Sequence, residues 1–185
     1  MPRVSTSHDD DFLQATLRHA DRLHALALRV APNRWDAADI VQDTYLRAYA
    51  AWDRRRPDDV GAWLATICLN VGRDEMRRQT RRGAFIYDGP LPDLADTVDT
   101  ADVALTRISD DRVNALLWTL PDPQRIAITL MDICGFTAAQ VAAITHSPRG
   151  TVLARVHRGR KALAVAFAQH PNIPHHSEVH DEPQS

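Results

Sequence analysis

The sequence predicts an all-α protein in which two small helical domains are joined by a flexible linker. Apolar residues recur at helical spacing along most of the 185 residues, and no stretch shows the strict alternation of a half-buried strand. In residues 83–100, glycines, prolines and regularly spaced aspartates replace that pattern, which is typical of an exposed linker. Residues 137–161 predict two short helices joined by a tight turn. Together these observations give the predicted architecture.

Four segments follow from these patterns. We expect a first helical domain over residues 10–82, the linker over 83–100, a second helical domain over 101–169 and a tail over 170–185. The tail is polar and contains prolines, so we expect it to be disordered.

Three helices make up the predicted first domain. The first runs from about residue 10 to residue 30 and is broken by Pro32 and Asn33. The second begins at Asp36, a good N-cap, and ends near Arg54. The third covers about residues 59–82. The apolar repeat that defines these helices includes Phe12, Leu13, Leu17, Leu23, Ala27 and Val30, then Val41, Tyr45, Ala48 and Trp52, then Trp63, Ile67 and Val71.

The predicted second domain ends in the two short helices. Gly135 can close the preceding helix in a left-handed conformation, because it lacks a Cβ. Thr137 and Gln140 form a capping box for the first short helix. Ser147 is expected to cap the second, with Pro148 at its first position, where the missing N–H costs nothing.

The second short helix has two different sides. An apolar side carries Val152, Val156, Gly159 and Leu163, and the opposite side carries Thr151, Ala154, Arg155, Arg158 and Lys161. No acidic residue occurs between Arg149 and Lys161, so charge pairing within the helix cannot explain the arginines. The pattern favours a helix-turn-helix that reads a DNA major groove over a solvated helix that is merely basic.

Composition limits the functions that the chain can have. Hydrophobic residues make up 44% and charged residues 25% of the chain, as in an ordinary globular protein. The formal net charge of −2 argues against nucleic-acid binding by bulk electrostatics. The charge is segregated, however, into basic clusters at residues 54–56, 73–82 and 149–161 and acidic clusters at 9–11 and 88–111. Such patches allow DNA contact in some geometries and weaken non-specific binding.

Other side chains give weaker signals. Cys68 and Cys134 lie in apolar helical patterns, so we interpret them as buried thiols in a reducing compartment. The chain shows no signal peptide or membrane-length apolar run, which predicts a cytoplasmic protein. The tail contains His170, His175, His176 and His180 without acid or cysteine partners at helical spacing, so no metal site is predicted.

Three sequence runs resemble one protein family. LPDPQRIAITLMDICGFTAAQVAAITHSPRGTVLARVHRGRKAL resembles region 4, the promoter −35-reading domain, of extracytoplasmic-function sigma factors. DAADIVQDTYLRAYAAW and AWLATICLNVGRDEMRRQTRR resemble region 2 of the same family. Their order and spacing match, no region 3 lies between them, and the likeness covers about residues 13–167. The resemblance implies a sigma factor that binds core RNA polymerase and promoter DNA under the control of an anti-sigma factor, without a cofactor or catalytic activity.

The resemblance also implies roles for particular residues. The face of the second helix would dock on the clamp helices of the largest polymerase subunit, although a solvated polar face has the same composition. Asn70 would read a base flipped from the −10 strand, beside arginines that contact phosphates. The implied residues are Asp39, Gln42, Asp43 and Arg47 for polymerase; Asn70, Arg73, Arg77 and Arg78 for the −10 element; and Arg149, Thr151, Arg155, Arg158 and Lys161 for the −35 element.

The sequence departs from the family at three places. Val60 and Gly61 stand where many relatives have Phe-Arg, and the loop 53–59 is not the commonest version. Leu153 occupies a position that is often arginine, and Arg149 is a candidate to replace it in part. One alternative stays open, a conventional helix-turn-helix regulator whose N-terminal helices bind a ligand or dimerise. An enzyme is disfavoured, because no acid–base pair or nucleophile constellation is visible.

Overall fold

In a computed structural model, the described residues are 6–32, 34–54, 56–82 and 113–169. These segments contain helices and no strand, which confirms the predicted all-α class. The predicted linker, the start of the second domain and the tail lie outside the described residues. The helices are α1 Thr6–Thr16, α2 Ala20–Val30, α3 Arg34–Ala51, α4 Val60–Arg81, α5 113–118, α6 Asp122–Ile128, α7 Ala138–Thr145 and α8 Arg149–Gln169. We call α1–α4 the N-terminal bundle and α5–α8 the C-terminal bundle.

The first predicted helix is not continuous. A 3₁₀ turn, Leu17–His19, separates α1 from α2. Just before it, the hydroxyl of the buried Thr16 donates to the carbonyl of Phe12 at 2.8 Å, a back-bond that bends helices. The chain turns here, so Leu13 and Leu17 leave the apolar stripe and are 45% and 60% exposed.

The start predicted for the second helix is wrong by two residues. α3 begins at Arg34, and Asp36 lies in its first turn, where a carboxylate favours the positive end of the helix dipole. The Asp36 carboxylate accepts a hydrogen bond from the Gln79 side chain of α4. The third helix is as predicted, because Asp59 Oδ1 accepts from the backbone N–H of Ala62 at 2.9 Å and caps α4.

Helices α2, α3 and α4 enclose the core of the N-terminal bundle, and α1 closes it with aromatic contacts. Phe12 meets Tyr45, Tyr49 and Trp52 edge to face, at centroid distances of 6.4, 5.3 and 5.5 Å. Where α2 and α4 cross, a Cβ on Gly72 would lie 2.8 Å from Val30 Cγ2. A larger residue at position 72 would therefore force Val30 or one of the two helices to shift.

The C-terminal bundle contains the predicted helix-turn-helix. α6 continues as a π-helix, Thr129–Ile133, and Gly135 follows it with a φ of 71°. The capping box at the start of α7 is confirmed, since the Thr137 and Gln140 side chains each bond the other's backbone N–H. Left-handed His146, with a φ of 50°, ends α7.

The predicted cap of α8 is wrong. α8 begins at Arg149, and its first backbone bond runs from Val152 N–H to the carbonyl of Pro148. Pro148 is therefore the capping residue, and Ser147 lies one position too early. The Ser147 hydroxyl instead donates to the Thr145 carbonyl at 3.3 Å and accepts from Arg155.

The two bundles pack against each other through a surface that we call the bundle interface: Arg22, Asp59, Cys134, Phe136 and Gln140. Phe136 is 5% exposed, and the guanidinium carbon of Arg22 lies 5.9 Å from its ring centroid. The Cys134 thiol donates to the Arg22 carbonyl at 3.6 Å. Gln140 Nε2 donates to Asp59 Oδ2 at 2.7 Å. One apolar core accordingly runs through both bundles.

Candidate nucleic-acid interface

Helix α8 turns a buried apolar side towards the C-terminal bundle, as predicted. Val152, Val156 and Gly159 are buried, and Leu163 is half-buried. None of the 21 residues of α8 is acidic. Its outer side is therefore positive, which suits the negative potential of a DNA groove.

The cations of α8 fall into two groups. Arg149, Arg158 and Lys161 are exposed and have no acidic partner within the described residues. Arg155 is half-buried, and its Nη1 donates to Ser147 Oγ at 2.8 Å, which ties α8 to the turn before it. Arg160 makes a two-pronged bond to Asp132, at 2.9 and 2.6 Å. The first group is available to DNA as it stands, and the second braces the fold.

Asn70, Arg73 and Arg77 lie on one side of α4, because they follow each other by three and four residues. All three are exposed. Arg77 contacts Asp74 at 3.5 Å, and Arg78 contacts Glu75 at 3.1 Å. These acids stand three residues before their arginines, so the sequence already held a signal that the prediction of a purely cationic helix end missed. Exposed pairs of this kind contribute little stability and can exchange for phosphate.

The outer side of α3 carries the residues predicted to bind polymerase. Asp39, Gln42 and Arg47 are exposed and Asp43 is half-exposed, opposite the buried Ile40, Thr44 and Ala48. Arg47 contacts Asp43 at 3.3 Å and Asp74 of α4 at 3.5 Å. Leu46 lies in the middle of this side and is 59% exposed. Leu46 was not predicted as part of this side, because the apolar repeat does not separate an inward leucine from an outward one.

The bundle interface joins the start of α4, which carries the predicted −10 residues, to the start of α7, the first helix of the helix-turn-helix. One oxygen of Asp59 caps α4, and the other accepts from Gln140 of the α7 capping box. The backbone N–H of Ala62, followed by the Gln140 amide, lowers the pKa of the Asp59 carboxyl. Nearby, burial lowers the pKa of His19, with Arg18 and Arg22 acting in the same direction and Asp59 opposing them.

The cysteines show no sign of a reactive site. Both are buried and free, as predicted. Burial raises the pKa of Cys68 to about 12 and that of Cys134 to about 11. Both are therefore neutral thiols at physiological pH, and a thiol binds metal or attacks only as the thiolate.

The described part of the chain has neither a metal-binding cluster nor a membrane-spanning helix. No cluster of three histidine, cysteine or acidic side chains there could hold a metal ion. None of the described helices combines the length and the apolar character needed to span a bilayer. The four tail histidines lie outside this part.

Comparisons with known proteins agree with the geometry. Residues 16–82 match the family Sigma-70 region 2, and residues 110–163 match Sigma-70, region 4. The chain is 34% identical over 158 residues to ECF RNA polymerase sigma factor SigE of Mycolicibacterium smegmatis, covering 83% of this chain and 60% of that protein. It is 33% identical over 165 residues to ECF RNA polymerase sigma factor EcfG of Rhodopseudomonas palustris, covering 89% of this chain and 86% of that protein.

A solved structure supports the same relationship. The sigma factor RpoE of Bartonella quintana, crystallised with the anti-sigma factor NepR, is similar with a TM-score of 0.70 and 30% identity, over 86% of this chain and 98% of that one. The matches cover both bundles in the same order. The chain belongs to the extracytoplasmic-function family of RNA polymerase sigma factors.

Proposed function

We propose that this sigma factor binds core RNA polymerase, places it on a subset of promoters through α8 and stabilises strand opening through α4. The observation that carries this proposal is the acid-free outer side of α8, in a helix-turn-helix that accompanies a second bundle with Asn70 beside exposed arginines. A conventional regulator also needs a basic helix-turn-helix. It does not need a second bundle in which an asparagine lies beside exposed arginines.

In the upstream step, α8 enters the major groove of the −35 element. Arg149, Arg158 and Lys161 are exposed and supply the charge that replaces phosphate counterions. Thr151 and Arg155 lie at the edge of the buried side of α8. From there they can contact the sugar–phosphate backbone of the DNA more readily than the bases at the groove floor.

In the downstream step, α4 captures an unstacked base of the −10 element. The exposed Asn70 amide offers a donor and an acceptor to a base edge. Arg73, Arg77 and Arg78 hold the adjoining phosphates, the last two after exchanging Asp74 and Glu75 for DNA. Because the base is reached only after it leaves the stack, this contact favours the melted state.

Polymerase docks on the outer side of α3. Leu46 forms the apolar centre of that side, and Asp39, Gln42, Asp43 and Arg47 surround it. An apolar centre with a polar rim is the usual composition of a protein interface. The contact between Arg47 and Asp74 ties this docking side to the DNA side of α4.

We extend the proposal to the control of this chain and to its location. The Bartonella quintana relative was crystallised with an anti-sigma factor, and we propose that this chain has a cognate anti-sigma factor of its own. It acts in the cytoplasm, where polymerase and promoter meet, and it contributes binding and no catalytic chemistry.

The test compares the purified chain with and without core polymerase. We expect the chain to co-purify with core polymerase, and core polymerase to shift a promoter duplex only when the chain is present. The isolated chain should bind the same duplex weakly, because its net charge is −2. Tight, salt-resistant duplex binding by the isolated chain, together with no retention of core polymerase, would favour the conventional regulator.

A further inference from the structure

The exposed large apolar side chains of α8 are Leu153, Val165 and Phe167, and of these only Leu153 lies among the cations of residues 149–161. Leu153 is 44% exposed, whereas its neighbours Val152 and Val156 are buried. Gly150, Leu153 and His157 follow one another by three and four residues, so they form one row along the outer side of the helix. Nearly half of the Leu153 side chain is accessible to solvent, in the middle of the basic outer side of the helix.

The surroundings of Leu153 match duplex DNA. Exposed cations lie one turn before it, at Arg149, and one to two turns after it, at Arg158 and Lys161. No atom lies within 4 Å of the Cβ position of Gly150, which leaves open space beside the leucine. An apolar group framed by cations and open space can approach the floor of a groove while the cations hold the phosphates.

Thymine is the only one of the four DNA bases that presents a methyl group in the major groove. Guanine, cytosine and adenine present donors and acceptors in the major groove, whereas thymine also presents its C5-methyl. A leucine side chain has no donor or acceptor of its own. Packing the leucine against the polar edge of guanine or cytosine would be unfavourable, because base donors and acceptors would lose water without gaining a partner. Packing the leucine against a methyl group would be favourable, because apolar surface is removed from water.

We propose that Leu153 is a specificity-determining residue that contacts the C5-methyl of one thymine in the upstream promoter element. This inference rests on the proposed function, because it requires α8 to read a major groove. The inference predicts a thymine at one position of that element. The exposed cations predict no particular base, because phosphate contacts carry no sequence information.

The experiment uses the full chain with core polymerase and removes single methyl groups from DNA. Promoter duplexes are selected by transcription from a library with a randomised upstream block, and each thymine of the block is then replaced by deoxyuridine. For the wild type, we expect one replacement to weaken promoter binding about three- to fivefold, the scale of one buried methyl group. Leu153→Ala should lose that methyl effect, and Leu153→Arg should prefer guanine at the same position.

Leu13→Ala is the matched control, because Leu13 is 45% exposed and lies in the N-terminal bundle. It should keep the wild-type response to deoxyuridine. The inference is overturned if no deoxyuridine weakens wild-type binding, or if Leu153→Ala keeps the methyl effect. Loss of core binding by Leu153→Ala would also overturn it, since the ligand would then be protein. The proposed function fails separately, if the wild type yields no selected promoter at all.

Discussion

At the scale of single residues, the structure distinguishes cations that are exposed and can contact DNA from cations that are bonded to other side chains of the protein. Arg158 is exposed and has no acidic partner in the described segments, whereas Arg155 bonds Ser147. The sequence placed both on the polar side of α8 and could not separate them. The distinction depends on where the turn before α8 folds back, which is a tertiary property.

Replacing these two arginines should therefore have different consequences. Arg158→Ala should weaken −35-dependent promoter binding by about 1–3 kcal/mol, the range for one lost bidentate arginine contact, with no change in thermal unfolding. Arg155→Ala should weaken binding and also lower the unfolding temperature, because α8 loses its tie to Ser147. Promoter titration and calorimetry measure the two effects.

Ser147→Ala is the control for Arg155, because it removes the acceptor and keeps the guanidinium. It should reproduce the loss of stability and spare most of the DNA binding. Unchanged promoter binding by Arg158→Ala would show that this residue is not part of the reading surface.

Asn70 provides a second prediction at this scale. Asn70→Ala should leave closed-complex binding nearly intact and impair strand opening, because the amide meets a base only after unstacking. Permanganate footprinting on a duplex promoter, compared with a pre-melted bubble, measures this. If the variant is normal on both templates, Asn70 is an ordinary helix residue, and the −10 reader must be sought in the loop 53–59.

At the scale of helices, close approach decides what the sequence tolerates. Gly72 on α4 lies so near Val30 on α2 that a Cβ would sit 2.8 Å from Val30 Cγ2 and 3.2 Å from Val30 Cβ. The stiff, branched valine cannot rotate out of the way. The contact brings α4 to the position from which it presents Asn70 and Arg73.

Gly72→Ala should consequently destabilise the protein although alanine is the better helix former. Overpacking costs about 1–3 kcal/mol, and the gain in helix propensity returns about 1 kcal/mol, so we expect a net loss on the order of 1 kcal/mol in urea unfolding. In a chain that already carries Val30→Ala, the Gly72→Ala change should cost less than in the wild type. We expect the two costs to differ by about 0.5 kcal/mol or more. Additive effects of the two changes would contradict the close approach.

Helical periodicity and local capping predicted much of the fold. The Thr137–Gln140 box and the left-handed Gly135 both depend on residues within one turn, and both were confirmed. The 3₁₀ turn Leu17–His19 and the π-helix Thr129–Ile133 were missed. The π-helix packs against α2, and sequence spacing holds no record of such packing. The 3₁₀ turn follows the local back-bond of Thr16, which the apolar repeat does not reveal.

At the scale of the whole molecule, the two bundles share a core, and His19 lies beside the contact between them. Phe136 of the C-terminal bundle packs near His19, Arg22 and Gly61 of the N-terminal bundle. The charged groups that face His19 are Arg18 and Arg22 on its own segment and Asp59 before α4. Burial and the two arginines lower the pKa of His19, so the folded protein favours the neutral imidazole.

Stability should therefore depend on pH through His19. A pKa that is lower in the folded state than the ordinary 6.5 gives a contribution that is complete above pH 6.5 and is lost as the pH falls through the folded value. His19→Gln should reduce the loss of thermal stability between about pH 7 and about pH 5. Asp59, whose pKa is also lowered, should act only below about pH 4. An unchanged pH profile in His19→Gln would contradict this assignment.

The central claim is that the chain confers promoter recognition on core RNA polymerase, and run-off transcription tests it most directly. Core polymerase is supplied with the promoter library, with and without the purified chain, and the transcripts are sequenced. We expect discrete start sites that appear only with the chain, downstream of a shared pair of elements, and that are lost in the joint Asn70→Ala, Arg158→Ala variant. The same start sites with and without the chain, or none in either case, would contradict the account.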